Sequence, residues 1–192
     1  MDLDANQLTT LARRDNEAAT VQLIELFYER IYAFLRRLAR HDSDAEDLTQ
    51  QTFSHVQRSL ASFAGRSSVS SWVHGIAYHV YLDWRRKDFR TESRAPDWWN
   101  ECVSNETSPD EVAVQSDLAK QLYARVDQLE PELRDSIHLH YYQELTLQET
   151  ADATGVATST VKYRLRQALD ILQKKISAER DPSGRPNRLK EI

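Results

Sequence analysis

Apolar residues recurring at three- and four-residue intervals constrain this chain more than any other feature. Between Leu8 and about Arg90, the residues Leu23, Leu26, Phe27, Ile31, Phe34, Leu35 and Leu38 form one stripe, the pattern of an amphipathic helix. In the next stretch Ala45, Leu48, Phe53, Val56 and Leu60 gather on one side, with Asp42 or Ser43 as the expected cap, while Glu46, Asp47, Gln50, Gln51, Ser54, Gln57 and Arg58 fall on the other. A third helix is expected from Ser70 or Ser71. Its inward stripe is Val73, Ile76, Ala77, Val80, Tyr81 and Trp84, leaving His74, Tyr78, His79, Leu82, Arg85 and Arg86 outward. Four glycines and five prolines in 192 residues are too few for a turn-rich β architecture, so the expected fold class is all-α.

A chain of this length fits one compact domain or two small helical ones. The periodicity stops between Thr91 and Ser116, where Glu92, Asp97, Glu101, Glu106, Asp110 and Glu111 stand against Arg94, with Pro96 and Pro109 as breakers. This reads as a flexible acidic linker, residues 91–116, between a helical bundle at 1–90 and a second at 117–178. Residues 179–192, with Pro182, Gly184 and Pro186, read as a disordered tail.

The net charge of -5 argues against a uniformly basic nucleic-acid binder. One cysteine, Cys102, cannot form an internal disulfide, and the start Met1-Asp2-Leu3-Asp4 lacks the basic and apolar segments of a secretion signal. With no apolar run near membrane-span length, no membrane insertion and a cytoplasmic location are expected. His138 and His140 are two apart, and His74 and His79 lack the i, i+4 spacing of a helical metal pair, so the histidines are expected to be satisfied or on the surface, and no metal or other cofactor is expected. No phosphate loop or nucleophile motif is present, and no enzymatic role is expected.

Local chemistry is clearest from Leu145 to Val161. Thr146 and Glu149 have capping-box spacing, Gly155 suits a left-handed helix end, and Thr158 or Ser159 can cap the next helix: a helix-turn-helix. Val161, Leu165, Ala168, Leu169 and Leu172 then point inward. Ser159, Lys162, Tyr163, Arg166 and Gln167 project outward near the start of a recognition helix. Residues 157–176 carry Lys162, Arg164, Arg166, Lys174 and Lys175 against Asp170, a local charge of +4 that the global balance conceals. Arginine and lysine can donate to guanine, glutamine can pair with adenine, and hydroxyls such as that of Thr158 can hold phosphates.

A helix-turn-helix alone does not separate a stand-alone regulator from a polymerase subunit. The first bundle does. Asp44-Ala45-Glu46-Asp47-Leu48-Thr49-Gln50-Gln51-Thr52-Phe53, then Phe63 to Trp72, then Ile76 to Arg86 resemble region 2 of extracytoplasmic-function (ECF) sigma factors, and the helix-turn-helix resembles their region 4. The resemblance covers about residues 20–90 and 118–176. It implies a promoter-specificity subunit that binds RNA polymerase core, with Glu46, Asp47, Gln50 and Gln51 on the β′ clamp helices and region 4 on the β flap.

It implies further that Gly65, Arg66, Ser67 and Ser68 form a loop receiving a base flipped from the minus-10 non-template strand, with Tyr78 a stacking candidate, His79 beside it, and Arg85, Arg86 and Lys87 holding phosphates. Tyr78-His79 replaces an Arg-Asn pair frequent in the family. Trp72 and Trp84 read as core residues. Thr158, Ser159, Lys162, Tyr163, Arg164, Arg166 and Gln167 would address the minus-35 element. An anti-sigma factor is an implied partner, with promoter DNA and core. Rival readings are a stand-alone helix-turn-helix regulator and a protein of sigma shape that only sequesters a partner. The low net charge leads to the expectation that the free protein binds DNA poorly until core separates and orients its domains.

Overall fold

The first two helices begin where the sequence supplies a cap. The computed structural model describes residues 4–14, 16–39, 41–92 and 117–180. α1 (Ala5–Ala12) opens with a reciprocal capping box. The Asp4 carboxylate accepts from Gln7 N–H at 2.8 Å, and the Gln7 side chain accepts from Asp4 N–H at 3.0 Å. α2 (Glu17–Ala39) starts under Asn16, whose side-chain oxygen accepts from Ala19 N–H at 3.0 Å. α3 (Asp42–Ser59) has His41 at its cap position without a side-chain bond, so the expected cap at Asp42 or Ser43 is corrected. Asp42 lies inside the first turn and pairs with Arg36. After a 3-10 turn, Leu60–Ser62, α4 (Val69–Glu92) begins one residue before the expected start.

The inward stripes of α2 to α4 close the first core. Leu23, Phe27, Ile31, Phe34, Leu35 and Leu38 are buried with Leu48, Phe53 and Val56 of α3 and Val73, Ala77, Val80 and Tyr81 of α4. Leu26 departs from its predicted inward place at 50% exposure, because it falls beside the stripe rather than on it. Trp72 and Trp84 are partly buried against this core, and the Trp72 ring lies 4.6 Å from that of Phe63.

The second bundle comprises α5 (Asp117–Asp127), α6 (Pro131–Ile137), a π-helical turn His138–Tyr142, α7 (Leu147–Thr154) and α8 (Thr158–Arg180). Pro131 opens α6, where a missing N–H costs nothing. Val126, Leu129, Leu133, Ile137, Ala151, Val161, Leu165, Ala168 and Leu172 form its core. Leu169, expected inward, is 46% exposed at the mouth of a groove with Leu122 and Ile176.

Both bundles expected from the sequence are present, and they are packed together. Leu139, Leu145 and Ala153 of the second lie within the core of the first. Full burial of leucine side chains such as those of Leu139 and Leu145 contributes about 1.5–3 kcal/mol each. The π turn makes the insertion possible: Gln143 N–H reaches His138 O at 3.0 Å, five residues back, and Glu144 follows at φ 57°. α4 and α7 cross closely at Gly75, where a Cβ would sit 3.4 Å from Ala153 Cα. α4 runs on through Thr91 and Glu92, the first two residues of the acidic segment; the rest of it, 93–116 with Trp98, Trp99 and Cys102, and the tail beyond Arg180 lie outside the described residues. Among the described residues, no helix is long and apolar enough to cross a membrane.

Candidate polymerase and nucleic-acid interfaces

The outer face of α3 is built by exclusion. Ala45, Leu48, Thr49, Thr52 and Phe53 are drawn into the core, and the Thr49 and Thr52 hydroxyls donate at 2.7 Å to the carbonyls four residues back. Glu46, Asp47, Gln50 and Gln51 are all exposed on the remaining side. This acidic and amide face meets α4 at a shallow depression lined by Gln51, His55, Val80, Asp83, Trp84 and Lys87.

The loop before α4 is polar and exposed at Gly65, Arg66 and Ser68, with Ser67 half-buried. Gly65 takes φ +69°, a left-handed conformation that glycine adopts without strain. Ser68 bonds twice: its oxygen accepts from Ser71 N–H at 3.1 Å, starting α4, and its hydroxyl donates to Glu149 of α7 at 2.6 Å.

The face of α4 read as outward divides. His79, Arg86 and Lys87 are exposed, and Arg86 pairs with Asp83 at 2.5 Å. His74, Tyr78 and Arg85 are corrected, because the second bundle covers them. His74 is fully buried, with Nδ1 2.8 Å from Ser70 O and Nε2 3.4 Å from Gln143 Oε1, and burial holds its pKa below the usual histidine value. Tyr78, the stacking candidate, is 4% exposed and donates to Asp135 Oδ2 at 3.2 Å; burial, then the Asp135 charge, pushes its phenol well above the usual tyrosine range. Arg85 is half-buried, its Nη1 3.8 Å from Asp135 Oδ2. Asp135 also receives Arg134 at 3.3 Å, and Arg134 donates to Tyr81 Oη at 2.9 Å. Burial raises the Asp135 pKa, an effect that the two arginines oppose.

Further contacts across the same seam were not legible in the sequence. Arg30 donates to Gln143 O, Ser71 Oγ donates to Glu149 O at 3.0 Å, and the Arg37 guanidinium lies over the Tyr123 and Tyr142 rings at 4.3 and 5.0 Å. The one available signal was Gly75, an isolated glycine inside a helical pattern, which marks a close backbone approach.

The helix-turn-helix has the expected capping box and turn. Glu149 N–H bonds Thr146 Oγ1 at 3.2 Å, Thr146 N–H bonds Glu149 Oε2 at 2.9 Å, and Gly155 takes φ +69° with its N–H on Ala151 O. Thr158 and Ser159 are corrected as caps: α8 already includes both, and the half-buried Thr158 donates to Gln148 Oε1 at 2.8 Å. Ser159, Lys162, Tyr163 and Arg166 are exposed over buried Val161, Leu165 and Ala168; Arg164 and Gln167 are half-buried at the flanks. Arg164 is close enough to the seam for its charge to act on Tyr78. Among the described residues no His, Cys, Asp and Glu cluster is suited to a metal. His138 corrects the reading of the histidines as satisfied or exposed, since it is buried with neither ring nitrogen bonded.

Comparison with known proteins places this geometry. Residues 23–91 match the model of Sigma-70 region 2, and residues 119–172 that of Sigma-70, region 4. The ECF RNA polymerase sigma factor SigX of Bacillus subtilis is 34% identical over 167 residues, covering 84% of this chain and 86% of SigX. The RNA polymerase sigma factor YlaC of the same species is 29% identical, covering 83% of this chain and 92% of its own. The fold is that of CnrH in its complex with the cytosolic domain of CnrY, with a TM-score of 0.67 at 19% identity, covering 91% of this chain and 99% of CnrH. The sigma factor RpoE of Bartonella quintana, bound to the anti-sigma factor NepR, gives 0.66 at 22% identity, covering 81% and 95%. Two region models in family order, together with a full-length relative, set aside the stand-alone regulator: this chain belongs to the extracytoplasmic-function group of RNA polymerase sigma factors.

Proposed function

We propose that the chain, as an alternative sigma factor directing transcription initiation, engages core polymerase through the α3 face of Glu46, Asp47, Gln50 and Gln51. The observation that carries this reading is that both the α3 face and the first turns of α8 remain exposed on one molecule whose α4 face is covered only at His74, Tyr78 and Arg85. An acidic and amide helix face complements a basic partner surface and steers association. Ser159, Lys162, Tyr163 and Arg166, with Thr158, Arg164 and Gln167 at the edges, address the minus-35 duplex, and the β flap carries this module on the enzyme. The minus-10 strand belongs to Gly65, Arg66, Ser67 and Ser68 with Tyr78, His79, Arg85, Arg86 and Lys87. Capturing a flipped base costs a few kcal/mol of unstacking, which loop hydrogen bonds and phosphate contacts offset. The functional units run over residues 1–90 and 117–178, with the acidic 91–116 joining them. Bond making is left to polymerase, so no catalytic residue is assigned to this chain. Its place of action is the bacterial cytoplasm, and an anti-sigma factor is its expected antagonist.

The test is run-off transcription with purified bacterial core and a pool of genomic promoter fragments. Transcripts from discrete sites that need this protein support the reading. Absence of both transcripts and core binding overturns it.

A further inference from the structure

A chain of two hydrogen bonds crosses the outer edge of the helix-turn-helix. Thr158, the first residue of α8, donates its hydroxyl proton to Gln148 Oε1 at 2.8 Å, and Gln148 Nε2 donates to Asp152 Oδ1 at 2.9 Å. Gln148 and Asp152 stand one turn apart on the exposed side of α7, and neither takes part in the capping box of Thr146 and Glu149. Beneath them, buried Ala151, Val161 and Leu165 pack α7 and α8 into one core, so the two helices hold together without the chain.

Its polarity is set at Asp152. A carboxylate accepts and does not donate, so the amide turns Nε2 towards Asp152 and Oε1 towards Thr158. A hydroxyl carries one proton. With that proton given to Gln148, Thr158 has lone pairs alone to offer to DNA. Phosphate oxygens, guanine O6 and N7 and thymine O4 are themselves acceptors, which leaves the hydroxyl unsuited to the phosphate contact expected from the sequence. The major-groove donors that fit it are the exocyclic amino groups, adenine N6 and cytosine N4.

We propose that Asp152 and Gln148 are positioning residues for minus-35 recognition: they hold Thr158 as an acceptor, so that it selects adenine or cytosine over guanine or thymine at one position of one strand. This rests on the minus-35 reading given above. Base readout needs its groups held within about 0.5 Å of the productive geometry. The two bonds supply that restraint at the start of α8, on the exposed side of the motif. An exposed carboxylate close to a DNA-reading helix repels phosphate. Asp152 offsets that cost by fixing the direction of both bonds.

The test is competition transcription by holoenzyme, reconstituted from the full chain and core, on a promoter from the run-off experiment with its minus-35 element randomised one position at a time. Wild type should show one position at which adenine and cytosine are both favoured over guanine and thymine on the same strand. Gln148→Ala puts a good helix former at an exposed site and frees the Thr158 proton. The amino-over-keto preference at that position should fall by about three- to tenfold, the worth of one hydrogen bond, while the other positions keep their order and the melting temperature stays that of wild type. Gln148→Glu with Asp152→Asn exchanges amide and carboxylate. The exchange keeps the net charge, the acceptor for Thr158 and a bond between the pair, and should restore the preference. A wild type without an amino-over-keto position overturns the proposal, as does an unchanged profile in Gln148→Ala or an exchanged pair that behaves like Gln148→Ala. Arg166→Ala in the same library separates the two readings. A profile altered by Arg166→Ala and untouched by Gln148→Ala overturns this inference and leaves the minus-35 reading standing, whereas no effect of either variant overturns both.

Discussion

His138 packs its ring against that of Tyr142 at a centroid separation of 5.1 Å, with both ring nitrogens buried and neither hydrogen-bonded. Burial, followed by the charges of Arg37 and Arg134, holds its pKa at about 3. Folded protein therefore keeps His138 neutral while unfolded chain takes a proton near pH 6.5. Its contribution to stability is full above about pH 6.5 and is lost progressively as pH falls towards 3, by at most about 1.4 kcal/mol per pH unit. His74, also lowered by burial, acts in the same direction below about pH 6.5. Urea denaturation across pH 4 to 7.5 should show this slope. His138→Phe, which keeps the ring and removes the unpaired nitrogens, should flatten it and leave stability at pH 7.5 equal or higher; an unchanged slope would assign the pH dependence elsewhere.

Gly155 at φ +69° has open space where a Cβ would stand, so substitution there meets only a conformational penalty. Gly155→Ala should destabilise by about 1–2 kcal/mol, and Gly155→Asn by less because asparagine tolerates the left-handed region. Equilibrium urea unfolding measures both. Equal losses would contradict the backbone explanation.

Arg166 is exposed on α8. Arg166→Ala is expected to cost about 1–3 kcal/mol in minus-35 discrimination if it makes a bidentate base contact, while thermal stability stays within about 0.5 kcal/mol. Competition transcription between a promoter and minus-35 variants of it provides the measurement. An unchanged preference at every minus-35 position would remove Arg166 from base readout.

Reversing Glu46 and Asp47 together to lysine should slow association with core on the order of tenfold at low salt, with the difference shrinking as salt rises. Both side chains are exposed, so the fold should be unaffected. Stopped-flow binding at two ionic strengths decides; a salt-independent change would point to altered structure instead of steering.

The helices and the turn chemistry were legible because they depend on neighbours in sequence. Apolar spacing alone placed Leu23 to Leu38 and Val73 to Tyr81, and Thr146, Glu149 and Gly155 announced the helix-turn-helix through bonds spanning three or four residues. Family membership was likewise carried by contiguous motifs. Leu26 and Leu169 were misplaced because a stripe read from spacing is broader than the strip that a neighbouring helix covers.

By itself, then, the sequence determined two helical modules, their order and the exposed faces of α3 and α8, since each follows from which side of a helix is apolar. Only the tertiary structure decided that Tyr78, His74 and Arg85 are covered. Their partners, Asp135 and Gln143, lie 50 to 69 residues away along the chain, too far for any periodicity to register. An outward polar residue looks the same in sequence whether it faces water, DNA or a second module. What distinguishes these cases is the complementary charge and close approach that folding brings to it, here the Asp135 carboxylate and the gap left by Gly75.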